Sequence, residues 1–225
     1  MTDVEAAGDG GAPVLVLASR SPRRRALLGR LGIAFTVRVP DIDETPAPGE
    51  SAVDYVARLA RAKAEAATAG DARDEVVVAA DTTVELDGTI IGKPADEHEA
   101  AAILGRLSGR DHLVHTGVAV RRGDRLVSSV TTSTVRFVPL STEAIAAYIA
   151  TGEPLDKAGA YGLQGRGRTL VAAIEGSASN VVGLPMAQTG ALLAAVGFEP
   201  VRWGPPRPGA GTGEPDPTTS EPSDR

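Results

Sequence analysis

Cysteine is absent from the 225-residue chain, which excludes disulfides, thiolate zinc sites and a cysteine nucleophile. Aromatic residues make up only 3 %, so the core has to be built from Val, Leu, Ile and Ala. No apolar run approaches the roughly 18 residues that a membrane-spanning helix needs. The opening residues, MTDVEAAGDGGAP, contain no basic stretch followed by an apolar one. No membrane association and a cytoplasmic location are therefore expected. Neither GxxxxGK[ST] nor a GxGxxG between a strand and a helix occurs, which removes the standard P-loop and dinucleotide folds. G-x-S-x-G is missing too, so GSASN at 176–180 is not read as a serine-nucleophile site. Positive charge is in deficit, with 23 basic against 29 acidic residues and a net charge of −6. That argues against a stable nucleic-acid partner, while leaving room for a local basic pocket.

What is present suits one sizeable folded domain: 42 % hydrophobic and 23 % charged residues. Residues 1–12 are polar and Gly-rich, and 204–225 are dense in Pro, Gly, Ser and Thr. Such segments cannot bury enough apolar area to offset their ordering entropy, so two disordered tails are expected around a domain at 13–203. Within it, the short apolar run 13–18 predicts a buried strand, and Ser21-Pro22 predicts the N-cap and first residue of a helix closed by Gly32. A strand at 33–39, an acidic loop, and a long helix capped by Ser51 and Asp54 follow. The run EVVVAA at 75–80 predicts a buried strand that stops at Asp81. Thr82–Leu86 and Thr89–Ile91 flank Asp87-Gly88, which predicts a tight hairpin turn. Then come a helix at 97–107, two long strands near 112–121 and 126–138, a helix from Ser141 or Thr142 to Gly152, a Gly-rich segment at 157–167, a strand at 169–175, the loop GSASNVVGL and a last helix at 185–196. The plan is mixed α/β with long antiparallel strands.

Three arginines, Arg23 to Arg25, crowd the predicted helix start. A helix N-terminus is already positive, so each costs about 0.3–1 kcal/mol if uncompensated. Ser19, Arg20 and Ser21 precede them, and strand, polar loop and helix start together form a common phosphate cradle. Either a multiply charged anion belongs there or the arginines point into water; the anion is the favoured reading. Asp41, Asp43 and Glu44 share one loop, and Asp81 abuts an apolar strand, where a carboxylate can bridge a divalent ion to phosphates. Lys63 lies on a helix among alanines, Lys93 in IIGKPAD, and Lys157 opens DKAGAYGLQGRG. The glycines of that last segment suit either close approach of a ligand or a plain flexible loop. His112 and His115 are three apart on a strand and so face opposite ways, which suits structural roles better than zinc.

The ordered set LASRSPRRRALLGRLG, DIDET, RLARAKA, VVAADTTV, IIGKP, TGEPLDKAGAYGLQG and NVVGLP resembles the Maf family of nucleoside triphosphate pyrophosphatases, from about Val14 to Val196. The resemblance implies an α/β fold with an elongated mixed sheet, helices on both sides and two lobes around a central cleft, related to inosine triphosphate pyrophosphatase. It implies a homodimer, a divalent cation (Mg or Mn), and cleavage of a nucleoside triphosphate to monophosphate and pyrophosphate. By the same resemblance Asp81 is the proton acceptor, Glu44 and Asp81 are metal ligands, and Ser19, Arg23, Arg24, Lys63, Thr82, Lys93, Lys157 and Gln164 are substrate-binding. Arg23, Thr82 and Gln164 match the branch acting on dTTP and UTP. A neutral amide at Gln164 could read a pyrimidine edge, since it both donates and accepts. The expected chemistry is in-line attack by water on the α-phosphorus, with Asp81 orienting or deprotonating the water. Two rivals stand beside this: a non-catalytic regulator of cell division that binds RNA or a partner protein through the basic helix start, and nucleotidyl transfer. The co-occurrence of Asp81 and Glu44 with Lys63 and Lys93 favours hydrolysis, because a binding surface has no use for acids beside phosphate-binding cations.

Overall fold

The computed structural model describes residues 13–68 and 75–199. The two expected tails, 1–12 and 204–225, lie outside the described residues. In chain order the elements are β1 (Val14–Leu17), α1 (Pro22–Gly29), β2 (Phe35–Val37), α2 (Ala52–Ala66), β3 (Glu75–Leu86), β4 (Thr89–Ile91), α3 (Glu97–Leu107), β5 (Asp111–Arg122), β6 (Arg125–Phe137), α4 (Thr142–Ile149), β7 (Val171–Glu175), α5 (Ala178–Val182) and α6 (Met186–Ala195). The strands form one mixed sheet in the order β2-β1-β3-β5-β6-β7, with β4 added to β3.

Local chemistry explains most boundaries. The Ser21 and Ser51 hydroxyls accept from the N–H groups of Arg24 and Asp54, so both helices start where side chains satisfy orphan donors. Asp87 and Gly88 both take positive φ, 52° and 73°, the geometry of a two-residue hairpin turn. Three expectations change. Residues 169 and 170 close a short 3-10 turn before β7, and the loop GSASNVVGL contains α5, capped by Ser177. More important, the strand expected to stop at Asp81 and the hairpin strand expected at 82–86 are one continuous strand, Glu75–Leu86. An acid in mid-strand is tolerated because Lys63 compensates its charge (below), and Thr82, Thr83 and Val84 are β-branched.

β3 organises everything else. Its first residues pair with β1 in parallel, Val14 to Leu17 against Glu75 to Val78. On the same edge its last residues pair with β4, Val84 to Leu86 against Ile91 to Thr89. Between them, no described strand covers residues 79–83 on that edge. The other edge pairs without interruption with β5, Asp81 opposite Gly117 and Thr82 opposite Thr116.

Alternation along the strands sorts the core. Leu15, Leu17, Val76, Val78 and Ala80 pack on the face of α1 and α6. Val16, Ala18, Val77 and Ala79 pack on the opposite face with Ala60 and Ala64 of α2. A third cluster, around Val84, Leu86, Leu104, Phe137 and Tyr161, fills the far end beneath α3 and α4. Helices therefore cover both faces, and the gap in pairing on β3 falls between the near and far clusters. Among the described residues, no helix is long and apolar enough to cross a membrane.

The histidine expectation holds. His112 bonds the Tyr161 hydroxyl at 2.8 Å and stacks edge-on to Phe137, while His115 turns the other way to Thr132 and Glu85. Burial pushes the His112 pKa down to about 4 from 6.5. Its folded pKa lies below its unfolded value, so the unfolded chain binds the extra proton between those two pH values. Stability therefore falls as pH drops from about 6.5 toward 4, by roughly 3 kcal/mol for the full shift. Urea unfolding at pH 7, 6 and 5 should show this loss, and His112→Gln, which keeps a partner for Tyr161, should flatten it. Equal slopes in the two proteins would remove His112 as the cause.

Candidate active site

The gap on β3 opens into a cleft of about 770 Å³. Because residues alternate along the strand, Asp81 turns to the α2 face and its neighbour Thr82 to the α1 face. Each meets a cation from the helix on its side. Lys63, the twelfth of α2's fifteen residues, sends Nζ to Asp81 Oδ1 at 2.6 Å and to Glu44 Oε1 at 2.8 Å. Arg24 Nη2 donates to Thr82 Oγ1 at 2.9 Å.

The α2 side is a charge triad. Lys63 and Asp81 are nearly enclosed, each side chain about 10 % exposed, whereas Glu44 is half open at 50 %. Partial burial pushes the Glu44 carboxyl up, but the hydrogen bond and charge of Lys63, with Lys93 and Arg24 behind it, outweigh this and hold it below its usual range. The Glu44 loop is tied to α2: the Tyr55 hydroxyl donates to the Glu44 carbonyl at 2.9 Å, and Arg58 reaches the Thr45 carbonyl and the Glu50 carboxylate. Tyr55 itself is pushed up to about 12 by burial and by the nearby charges of Asp81 and Glu44. Neither Tyr55 nor Arg58 stood out in the sequence; their spacing of three on one helix face was the available signal.

Arg24 resolves part of the arginine cluster. Its guanidinium donates to the Gly183 carbonyl at 2.8 Å, to Thr82 and, at 3.4 Å, to Ser19 Oγ. Burial lowers its pKa, with Asp81 opposing. Thr82 in turn bonds Thr116, which donates to the Asn180 carbonyl at 3.0 Å. Arg24 thus anchors α1 to β3 and α5 while its remaining N–H groups stay at the cleft. Arg23 reaches Asp156 at 3.2 Å, and Arg25 is exposed.

The cleft lining brings together Ser19, Arg23, Arg24, Glu44, Lys63, Asp81, Thr82, Lys93 and Lys157, residues from both ends of the chain. Arg20 adds a sixth cation to Arg23, Arg24, Lys63, Lys93 and Lys157, against four carboxylates, Asp41, Glu44, Asp81 and Asp156. Gln164 stands apart: it is exposed, and the lining stops at its neighbour Leu163. Asp43 is likewise exposed, its carboxylate accepting from the Thr45 N–H. Val84, Ile90, Val114, Tyr161 and Leu163 make an apolar end to the same cleft.

The glycines at 157–167 have a more specific use than flexibility. A Cβ on Gly162 would fall 2.7 Å from Lys157 Cε, and one on Gly165 would overlap the Glu153 carboxylate. That carboxylate accepts from the N–H groups of Arg166 and Gly167. Glycine here makes room for side chains of its own loop, and so aims Lys157.

A divalent cation fits this donor set. Glu44 and Asp81 already converge on one positive charge, the Lys63 ammonium, so their oxygens face a common point. Among the described residues, no group of three or more His, Asp or Glu could hold a metal by itself. Two carboxylates suit Mg²⁺ or Mn²⁺, which keep waters and complete their shell with substrate phosphates.

Comparison with known proteins bears on this arrangement. The family model "Maf-like protein" matches residues 14–196. A protein of Myxococcus xanthus named dTTP/UTP pyrophosphatase is 54 % identical over 84 % of this chain and 95 % of its own length. One of the same name from Anaeromyxobacter dehalogenans is 51 % identical over 87 % of this chain and 100 % of its own. A third, from Methylobacillus flagellatus, is 52 % identical over 81 % and 92 %. Among solved structures, the Staphylococcus aureus Ham1 protein aligns with a TM-score of 0.38 and 19 % identity, over 55 % of this chain and 70 % of that one. With the family model spanning the domain from β1 to the end of α6, the chain belongs to the Maf family.

Proposed function

We propose that the chain is a nucleoside triphosphate pyrophosphatase acting on dTTP and UTP, releasing the monophosphate and pyrophosphate. The observation that carries this reading is the cleft at the gap in β3, where five further cations surround the Asp81–Lys63–Glu44 triad. Its relatives' shared name, dTTP/UTP pyrophosphatase, supports the substrate.

In this reading Arg23, Lys93 and Lys157 bind phosphate oxygens, and the α1 N-terminus with Ser19 and Ser21 adds neutral donors. Asp81 orients the attacking water and takes its proton. The water oxygen bonds to the α-phosphorus as the bond from that phosphorus to the bridging oxygen breaks. Pyrophosphate leaves with the bond's electron pair, and the cations offset the charge it gathers. Lys63 holds the Asp81 carboxylate in position. Glu44 and Asp81 would hold the divalent cation, which supplies Lewis-acid charge at the phosphates and lowers the pKa of bound water. The apolar end around Tyr161 and Leu163 takes the base, with Gln164 adjacent as the amide that reads its edge. The same reading includes a homodimer in the cytoplasm.

The test is a panel of canonical and modified nucleoside triphosphates with Mg²⁺ or Mn²⁺, measuring pyrophosphate and orthophosphate separately. Pyrophosphate equal to the monophosphate formed, fastest with dTTP and UTP, is expected. Orthophosphate with a diphosphate product, or equal rates on purines, would overturn the reaction or the substrate respectively.

A further inference from the structure

Asp156 and Asp41 are the two cleft carboxylates that the mechanism above leaves without a task, and of the two only Asp156 touches the cleft cations. It ends the short 3-10 turn Glu153–Asp156 and is 64 % exposed. Both of its oxygens are engaged, and each holds a different cation. Oδ2 meets Arg23 Nη1 at 3.2 Å, and Oδ1 meets Lys157 Nζ at 2.5 Å. Burial opposes ionisation, but Lys157 and then Arg23 outweigh it and hold the Asp156 carboxyl below its usual value. The two cations are less exposed than their anion, at 25 % for Arg23 and 14 % for Lys157. Lys157 is further fixed by the Glu153 carbonyl and by the space above Gly162. Lys157 is therefore held in place, Arg23 is three-quarters buried, and the carboxylate is the most exposed of the three.

We propose that Asp156 is an internal counter-anion that exchanges with pyrophosphate on Arg23 and Lys157. It neutralises the two cations in the empty cleft, gives way to the triphosphate, and returns as the product leaves. The inference rests on the pyrophosphatase reading, since Arg23 and Lys157 are taken there as phosphate-binding groups. Exposed ion pairs are individually weak, and that weakness is what exchange requires. A single carboxylate yields readily to a polyanion, yet it always stands within reach to compete for the cations. Without it, product would be retained.

Asp156→Asn keeps size and loses charge. Calorimetric titration of the full chain with pyrophosphate and Mg²⁺ should show binding tightened about three- to tenfold over wild type. Asp41→Asn is the control: Asp41 lines the same cleft but contacts neither cation. It should change affinity much less. Unchanged or weaker binding in Asp156→Asn, an equal gain in Asp41→Asn, or no pyrophosphate binding by wild type would each overturn the proposal. Wild-type hydrolysis of UTP, measured alongside, tests the underlying reading by itself. A protein that hydrolyses UTP but whose pyrophosphate affinity ignores Asp156 loses only the counter-anion.

Discussion

Replacing Asp81 with asparagine is expected to lower turnover of dTTP and UTP by about 10²–10⁴-fold, the span associated with losing a positioned general base. The substitution is nearly isosteric, and its amide oxygen can still face Lys63 Nζ, now 2.6 Å from Oδ1. What disappears is the negative charge, and with it the proposed proton acceptor and one side of the proposed cation site. Lys63 keeps Glu44 as a partner at 2.8 Å, so no buried charge is left unpaired and the fold should survive. The check is kcat at saturating substrate and metal, together with an unfolding curve close to wild type. Turnover within a few-fold of wild type would remove Asp81 from the chemistry.

Gly117→Ala should have the second largest effect, and it acts through the helix rather than through the nucleotide. Gly117 sits opposite Asp81 in the ladder and therefore on the α2 face. A Cβ there would lie 2.2 Å from the Val56 carbonyl oxygen and 2.6 Å from its carbon, both backbone atoms of α2. Backbone cannot rotate aside as a side chain can, so α2 must shift. The expected cost is about 3 kcal/mol or more, the upper range for forcing extra volume into a packed core. Since α2 also carries Lys63 and Tyr55, kcat should fall in the folded fraction as well. Gly190→Ala in α6 is the opposite case. Nothing lies within 4 Å of its Cβ position, and alanine in a helix should stabilise by up to about 1 kcal/mol. Urea midpoints moving in opposite directions confirm the account; a neutral Gly117→Ala would contradict it.

The parts of this fold that were legible in the sequence are those decided within a few residues. Ser21-Pro22 and Ser51 with Asp54 mark helix starts because a hydroxyl and an amide three residues on are always neighbours there. Asp87-Gly88 marks its turn because few other residues tolerate positive φ. Alternation told which residues share a face, and the carboxylates and cations converging on one cleft followed the family's motif order. Asp81 shows the limit: EVVVAAD reads as a strand ending at a charge because the compensating ammonium, Lys63, comes from 18 residues away. Gly117 carried a usable sign, a glycine inside an apolar strand, which marks close backbone approach. Only the sheet register reveals that the approaching backbone is α2. Asp156 and Glu153 were hidden in a glycine-rich stretch, where composition cannot distinguish looseness from room made for a neighbour's side chain.

The central claim is that water aligned by Asp81 attacks the α-phosphorus of a triphosphate held in the cleft between α1 and α2. The most direct measurement is hydrolysis of UTP in ¹⁸O-labelled water, followed by mass spectrometry of both products. Label in the monophosphate, with unlabelled pyrophosphate, is the expected result. Label in the pyrophosphate would mean attack at the β-phosphorus, and the roles assigned to Asp81 and to the cations around it would not survive that outcome.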